Sequence, residues 1–265
     1  MKITPARELS GTVKREHYKI MLGRKILTVF AALVLTAAVS INAPATGRAS
    51  DKDSKRSAAT RVEAPLNLAI LVQDDLVSRV GNELKVMGEF IESLPAGSRV
   101  MVAYVRAGSL QVRQPFTDDL AKAAKALRMP VGNTAASPYN PYVGVRDALR
   151  KFEEGGENRN AVLLISDGLD TSHGFDLDAA ASTLDLQRAI KEAQKRNVAV
   201  YSFYAPTVGL TSWNHTAVSY GQSSLNRLSN ETGGRAFFQG TSFVSFDSYF
   251  ERLRQTLNDQ YAKAY

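Results

Sequence analysis

Two apolar runs that end in acidic residues constrain the fold of this chain more than any other feature. Residues 161–166 are apolar up to a closing serine and are followed directly by Asp167. Such an uninterrupted run is typical of a strand buried on both faces of a parallel sheet, and it delivers its last residues to the carboxyl edge, where open α/β folds place their ligand sites. Residues 66–73 form a second run, followed by Asp74 and Asp75. We therefore expect both strands to bring carboxylates to one crevice.

The first 45 residues have the pattern of an export signal. Arg24 and Lys25 precede an uncharged apolar run, residues 26–41, and small residues follow at positions 43 and 45. The run is shorter than the roughly 20 residues that span a bilayer, so we expect a cleaved signal peptide, with an uncleaved membrane anchor as the alternative. Translation could also start at Met21. The mature protein is then periplasmic or extracellular.

The charge of the chain belongs mainly to this leader. The whole sequence carries +7, and residues 1–45 hold seven Lys/Arg and two Asp/Glu, which leaves 7 − 5 = +2 for the rest. A nucleic-acid partner is therefore not expected, because no clustered basic face is indicated. Cysteine is absent, which excludes disulfides, thiol nucleophiles and thiolate ligands.

One domain follows a short polar segment. Residues 46–64 are predicted to form a flexible tether, and residues 65–265 a single domain in which strands and helices alternate. The predicted strands are residues 66–73, 99–105, 109–116, 160–165, 198–204 and 235–238. The predicted helices are residues 80–94, a segment opened by Thr117, residues 142–152, 184–196, a segment from Ser223, and residues 246–260. This pattern predicts a doubly wound, mostly parallel α/β sheet with one antiparallel edge strand and helices on both faces.

The order of these elements resembles a known family. The acidic strand ends, residues 165–168 (Ile-Ser-Asp-Gly) and the Glu-Thr-Gly-Gly turn at residues 231–234 are similar to those of a von Willebrand factor type A (VWA) domain of the bacterial exported kind. The resemblance covers roughly Pro65 to the end. Independently, the glycine pair at 233–234 suits a helix that ends in a left-handed turn and enters a strand.

The resemblance implies a site for a divalent cation, called the metal-ion-dependent adhesion site. Its residues would be Asp74, Ser78, Asp167 and Thr134, with Ser137 as the alternative to Thr134, and such an oxygen set suits Mg²⁺ or Mn²⁺.

The sequence departs from that metal motif at Leu76, which stands where the family has a ligating serine. One ligand oxygen is therefore missing, and weak or absent metal binding is expected. The acids at these strand ends would then only cap turns and helix starts.

Catalysis is not expected. The chain has no Gly-x-Ser-x-Gly elbow, phosphate loop, dinucleotide fingerprint or His-Glu-x-x-His motif. Outside the leader, the only histidines are His173 and His215, both in polar segments where a solvated role is the common one.

Residues 205–222 are predicted to be a long loop at the carboxyl edge, and they carry the only tryptophan, Trp213. Large aromatic residues among small polar ones are typical of partner-binding hot spots. The alternative is that Trp213 folds back over the end of the sheet. The candidate partner-binding residues are Asp75, Tyr139, Tyr142, Trp213, His215 and Tyr220.

Three functions stay open at this stage. The first is an exported VWA-like adhesion module that recognises a protein or a cell-envelope polymer through its carboxyl edge, with or without a weakly bound cation. The second is a metal-independent structural component of an envelope assembly. The third is an uncharacterised metal-dependent hydrolase.

Overall fold

Six strands form one sheet in this computed structural model, which describes residues 61–132, 140–155, 158–172, 174, 183–238 and 245–264. The predicted leader and residues 46–60 of the predicted tether lie outside the described residues. The strands are β1 (Leu66–Gln73), β2 (Arg99–Arg106), β3 (Ser109–Thr117), β4 (Arg159–Ser166), β5 (Ala199–Tyr204) and β6 (Ala236–Phe237). Their spatial order is β3-β2-β1-β4-β5-β6.

The pairing of the strands confirms the predicted fold class. β1 pairs in parallel with β2 on one side and with β4 on the other, and the parallel order continues through β5 to β6. β3 pairs antiparallel with β2 and forms the edge of the sheet. The carboxyl ends of β1, β4 and β5 therefore lie side by side.

Helices cover both faces of the sheet. They are α1 (Leu84–Glu92), α2 (Leu120–Lys125), α3 (Pro141–Leu149), α4 (Leu184–Lys195), α5 (His215–Glu231) and α6 (Phe246–Ala264). Alternate strand residues point to opposite sides. Leu68 and Ile70 of β1 belong to the core that includes α1, α2 and α6, whereas Ala69 and Leu71 belong to the core that includes α3, α4 and α5. None of the helices in the described ranges is both long and apolar enough to cross a bilayer.

Several predicted element boundaries are wrong. The predicted helix over residues 80–94 is α-helical only over Leu84–Glu92, and Ser78–Glu83 before it form a 3-10 helix. The segment predicted as a loop up to residue 222 becomes helical at His215, because the side chain of Asn214 accepts a hydrogen bond from the Ala217 N–H at 3.0 Å and caps α5. The helix predicted to open at Thr117 begins at Leu120 instead. Asp119 caps it, accepting from the Lys122 N–H, while Thr117 still belongs to β3.

Glycine allows α5 to approach the end of β4 very closely. A Cβ atom on Gly221 would lie 1.9 Å from the carbonyl oxygen of Asp167, and one on Gly168 would lie 2.3 Å from the carbonyl oxygen of Gly221. Neither position has room for a side chain. This contact fixes α5, and the loop before it, against the carboxyl edge. Gly233 adopts φ +78° after α5, as the Gly-Gly turn predicted.

Candidate functional site

Asp74, the first acidic residue after β1, is held by an arginine from a distant part of the chain. Nη1 of Arg128 lies 2.6 Å from Oδ1 of Asp74, and Nη2 lies 2.9 Å from Oδ2, so the pair is bidentate. The Val131 N–H donates to the same Oδ1 at 3.1 Å. The Asp74 side chain is only 1% exposed. A charged guanidinium therefore already neutralises this buried carboxylate.

Arg128 is itself fixed by aromatic and backbone contacts. Its Cζ lies 4.0 Å from the ring centroid of Tyr104, a cation–π arrangement. The Tyr104 hydroxyl donates to the Arg128 carbonyl and accepts from the Arg128 N–H. The hydrogen bond to Asp74 raises the pKa of Arg128 above its already high value. This cation remains charged at every physiological pH.

Asp75, and not Asp74, shares a hydrogen-bonding partner with Asp167. The amide of Gln73 donates to Oδ1 of Asp75 at 2.8 Å, and its oxygen accepts from the Asp167 N–H at 3.3 Å and from the Ser166 hydroxyl. Burial, followed by the charge of Asp167, raises the pKa of Asp75 to about 7. The two carboxyl groups form a buried acidic pair behind the carboxyl edge.

Asp167 is satisfied by the loop that follows β5. Its Oδ1 accepts from the Leu169 N–H at 3.1 Å, and its Oδ2 accepts from the Thr211 hydroxyl at 3.2 Å. Burial raises the pKa of the Asp167 carboxyl despite these hydrogen bonds. The Thr211 hydroxyl also accepts from the Thr207 N–H at 2.9 Å. Two buried threonines thus tie this loop to the acidic pair.

The loops after β1 and β5 are joined by their backbones. Leu76 and Thr207 form an antiparallel bridge. The Val77 N–H donates to the Pro206 carbonyl, and the Val208 N–H donates to the Asp75 carbonyl, each at 3.0 Å. The segment from Pro206 to Thr211 is therefore anchored on both sides.

Four apolar side chains are exposed on the loops around this anchored segment. We define the edge patch as Met129, Val131, Val208 and Trp213, whose exposed fractions are 55%, 53%, 36% and 71%. The Gly132 N–H, next to Val131, donates to the Asp74 carbonyl, and a Cβ on Gly132 would lie 3.8 Å from Cγ1 of Val208. The edge patch therefore spans the loops that flank Asp74 and Asp75.

Comparisons with known proteins give structural similarity alone. No protein-family model matches the sequence, and no curated protein matches it. A solved aerotolerance-related membrane protein from Bacteroides fragilis NCTC 9343, bearing multiple mutations to serines, is 11% identical with a TM-score of 0.52, over 73% of this chain and 99% of that one. The conserved hypothetical protein BatB from Bacteroides thetaiotaomicron is 13% identical with a TM-score of 0.51, over 74% and 99%. The SpRpn10 VWA domain superposes less closely, at 15% identity and a TM-score of 0.44, over 74% and 95%.

The sheet order, with its single antiparallel strand at the β3 edge, agrees with the architecture that the sequence resemblance predicted. The chain has a VWA-like fold.

The described residues of this VWA-like domain do not fit the cation site that the resemblance implied. Both carboxylate oxygens of Asp74 contact Arg128 instead of facing Asp167, Ser78 lies exposed at the start of a 3-10 helix, and Leu76 is fully buried in the core. Within the described ranges no three His, Cys, Asp or Glu residues group as metal ligands. Thr134 and Ser137 lie outside those ranges. Weak or absent binding of Mg²⁺ or Mn²⁺ stays a prediction.

The predicted partner-binding residues divide into exposed and buried ones. Trp213 is exposed, so the alternative in which it folds back over the sheet is wrong for this structure; His215 is exposed and Tyr220 is half-buried on α5. Tyr142 is a correction: only 1% of it is exposed, and its hydroxyl donates to the Gly168 carbonyl. Asp75 is 5% exposed, so it supports the edge from beneath. Tyr139 and His173 lie outside the described residues.

Sequence reasoning missed Gln73, Arg128, Thr207 and Thr211. Gln73 gave a usable signal, because a polar residue that closes an apolar strand beside two acids must find a polar partner when it is buried. Arg128 gave none, since it lies 54 positions from Asp74 in sequence.

Proposed function

We propose that this VWA-like domain is a protein-binding module that recognises its partner through the edge patch, with Trp213 as the anchor. The observation that carries the proposal is the exposed Trp213 on a loop that buried threonines and backbone hydrogen bonds hold in place. A large aromatic side chain has few rotatable bonds, and on a loop that is already ordered it loses little conformational freedom on binding, so such residues often dominate interface energetics.

The proposal includes recognition without a required metal ion. The Arg128 guanidinium already balances the charge of Asp74, so a divalent cation has no free Asp74 oxygen to bind. The alternative of a metal-independent structural component in an envelope assembly shares this feature and differs in having a permanent partner.

The proposal assigns no catalytic step to the domain. Asp75 and Asp167 are buried under the loop after β5, where a substrate cannot reach them without displacing that loop. His215, the only histidine in the described ranges, stands exposed at the start of α5. Secretion, as the leader predicts, would place the edge patch where envelope proteins or polymers are available.

A pull-down with matched variants tests the partner surface. Full-length protein carrying Trp213→Ala should capture about tenfold less partner than the wild type, or less still, from an envelope extract of the native host. This is the loss expected for a hot-spot residue. Val112→Ala, which trims another exposed apolar residue on the β3 edge strand, should capture as much as the wild type.

Two results would contradict the proposal. If Trp213→Ala captured as much partner as the wild type, the edge patch would not be the binding surface. Loss of capture by the wild type when a chelator is added would contradict the metal-independent part alone.

A further inference from the structure

The β2–β3 hairpin carries two exposed arginine residues on one face of the sheet. Tyr104 of β2 points to the face that α1, α2 and α6 cover. Gln111 is its register partner on β3, and Arg106 lies two residues further along β2, so both share that face. Burial raises the pKa of the Tyr104 hydroxyl, whereas its backbone hydrogen bond with Arg128 and the charges of Arg128 and Arg113 oppose that rise, which places Arg113 nearby as well. Arg106 and Arg113, the hairpin cations, are both exposed.

The hairpin cations have no counter-charge within the described part of the chain. Neither of them forms an ion pair with a carboxylate there. Arg128, which lies over the Tyr104 ring, is already balanced by Asp74. The acids nearest to β3 in sequence, Asp118 and Asp119, follow its far end at the amino edge of the sheet, and Asp119 caps α2. The charges of the hairpin cations are therefore available to a partner.

Arg128 connects the hairpin to the edge patch. Its guanidinium lies 4.0 Å from the ring centroid of Tyr104, and its Nη1 donates to the carbonyl oxygen of Met129 at 2.9 Å. Met129 belongs to the edge patch and is 55% exposed. The acids beneath the edge patch are buried, with exposed fractions of at most 5%: Asp74, Asp75 and Asp167. A partner segment that contacts the edge patch can therefore continue onto the hairpin, where the accessible charge is positive.

We propose that the partner presents an extended acidic segment whose carboxylates bind Arg106 and Arg113, while an apolar side chain next to them contacts the edge patch. This inference rests on the proposed function, because it takes the edge patch as the partner surface. Arg113 lies four residues along β3 from Ser109, the register partner of Arg106, so the two cations stand roughly 13 Å apart. Acidic residues about four positions apart in an extended segment match that spacing. Each exposed guanidinium can bind a carboxylate through two parallel hydrogen bonds.

The positions of the two surfaces favour a peptide segment over a membrane. The hairpin cations lie on a face of the sheet, whereas the edge patch lies at its carboxyl edge. A flat bilayer would meet one of these surfaces at a time, but a peptide can bend from one to the other. Attraction between an acidic segment and the exposed cations would speed association and would weaken as salt is added.

The fluorescence of Trp213, the only tryptophan of the chain, reports on binding at the edge patch in the full-length protein. The probes are a short peptide with a leucine pair followed by alternating glutamate and serine, the same peptide with glutamine in place of glutamate, and vesicles of phosphatidylglycerol. We expect the glutamate peptide to bind at least about fivefold more tightly than the glutamine peptide at about 20 mM salt. The difference should largely disappear at about 500 mM salt, because exposed charges are then screened.

Reversing the hairpin cations tests whether they supply the charge. The double variant Arg106→Glu with Arg113→Glu should bind the glutamate peptide about tenfold more weakly than the wild type and the glutamine peptide equally well. The double variant Lys191→Glu with Arg252→Glu changes the net charge by the same amount at exposed positions of α4 and α6, and it should bind both peptides like the wild type, within about twofold.

The wild-type titration decides the outcome even if the hairpin variant fails to fold. The inference is overturned if the wild-type chain binds both peptides equally or binds neither, and a response to the vesicles alone would assign the surface to a membrane instead. Equal binding of both peptides that is lost in Trp213→Ala would leave the proposed function standing without this inference.

Discussion

Asp74 and Asp75 are adjacent in sequence, but their side chains have different partners. Successive residues at a strand end point to opposite sides, so only one of two adjacent acids can meet Asp167. The pairing of Val72 with Ile165 places Gln73 beside Ser166, and Gln73 then connects Asp75 to Asp167 while Asp74 turns to Arg128. The acidic crevice was predictable from the two apolar runs. Which acid enters it was not, because that depends on cross-strand register.

Removing the guanidinium beside Asp74 should expose the cost of a buried charge. Arg128→Ala leaves a carboxylate that is 1% exposed without its cation, and we expect a loss of about 3 kcal/mol in the free energy of unfolding, measured by urea denaturation. The double variant Arg128→Ala with Asp74→Asn should recover most of that loss, since it removes the uncompensated charge. An additive double variant would show that the ion pair does not carry the effect.

The raised pKa of Asp75 predicts a pH dependence of stability. The folded protein holds this proton up to about pH 7, whereas the unfolded chain releases it near 3.8, the ordinary pKa of an aspartate. Stability from this group is therefore complete below pH 3.8 and is lost as the pH rises to about 7, by as much as about 4 kcal/mol. Asp75→Asn should flatten the fall in unfolding free energy between pH 5 and about 7, measured by urea denaturation at each pH.

A surface acid gives the control for this pH series. Asp118→Asn changes an exposed carboxylate near the end of β3 and should leave the slope as it is in the wild type. If Asp75→Asn retained the full slope, the titration of Asp75 would not be its source.

At the scale of elements, apolar patterns predicted the strands well and one helix badly. The buried apolar runs of β1, β2, β4 and β5 are typical of strands, and their alternation with helices predicted a mostly parallel sheet. The sequence pattern did not predict the first half of α5, because its buried residues are Ala217, Val218 and Gly221, and two of these three are too small to give a helical hydrophobic signal. Asn214 was the available clue, as a helix-capping residue type.

The same small face gives a prediction about how α5 packs. Gly221→Ala places a Cβ 1.9 Å from the Asp167 carbonyl oxygen, and the backbone must move to admit it. We expect a loss of at least about 3 kcal/mol in unfolding free energy, as for severe overpacking of a core, and a changed environment for Trp213 in its fluorescence.

A second helical glycine provides the matched control for that variant. Gly88→Ala in α1 meets nothing closer than 3.9 Å and should stabilise the protein by up to about 1 kcal/mol through helix propensity. Similar effects of the two substitutions would mean that α5 does not sit tightly on the end of β4.

For the whole molecule, the leader sequence predicts that the protein is exported. Arg24, Lys25 and the uncharged residues 26–41 predict cleavage after the small residues at 43–45. N-terminal sequencing of protein from the native host should begin between about residue 46 and residue 50. Intact protein that starts at Met1 and fractionates with the cytoplasm would contradict this prediction.

The position of the first described residues has a mechanical consequence. Asn258 of α6 accepts from the Glu63 N–H at 3.0 Å and donates to the Arg61 carbonyl at 2.7 Å, so the chain enters the domain beside the edge opposite Trp213. A pull between residue 61 and a partner held at Trp213 would run along β1. Its parallel ladders to β2 and β4 would then be loaded in shear, with their hydrogen bonds resisting together instead of opening one at a time. A domain that is held at residue 61 on one side and by a partner on the other would therefore resist extension through the hydrogen bonds of β1.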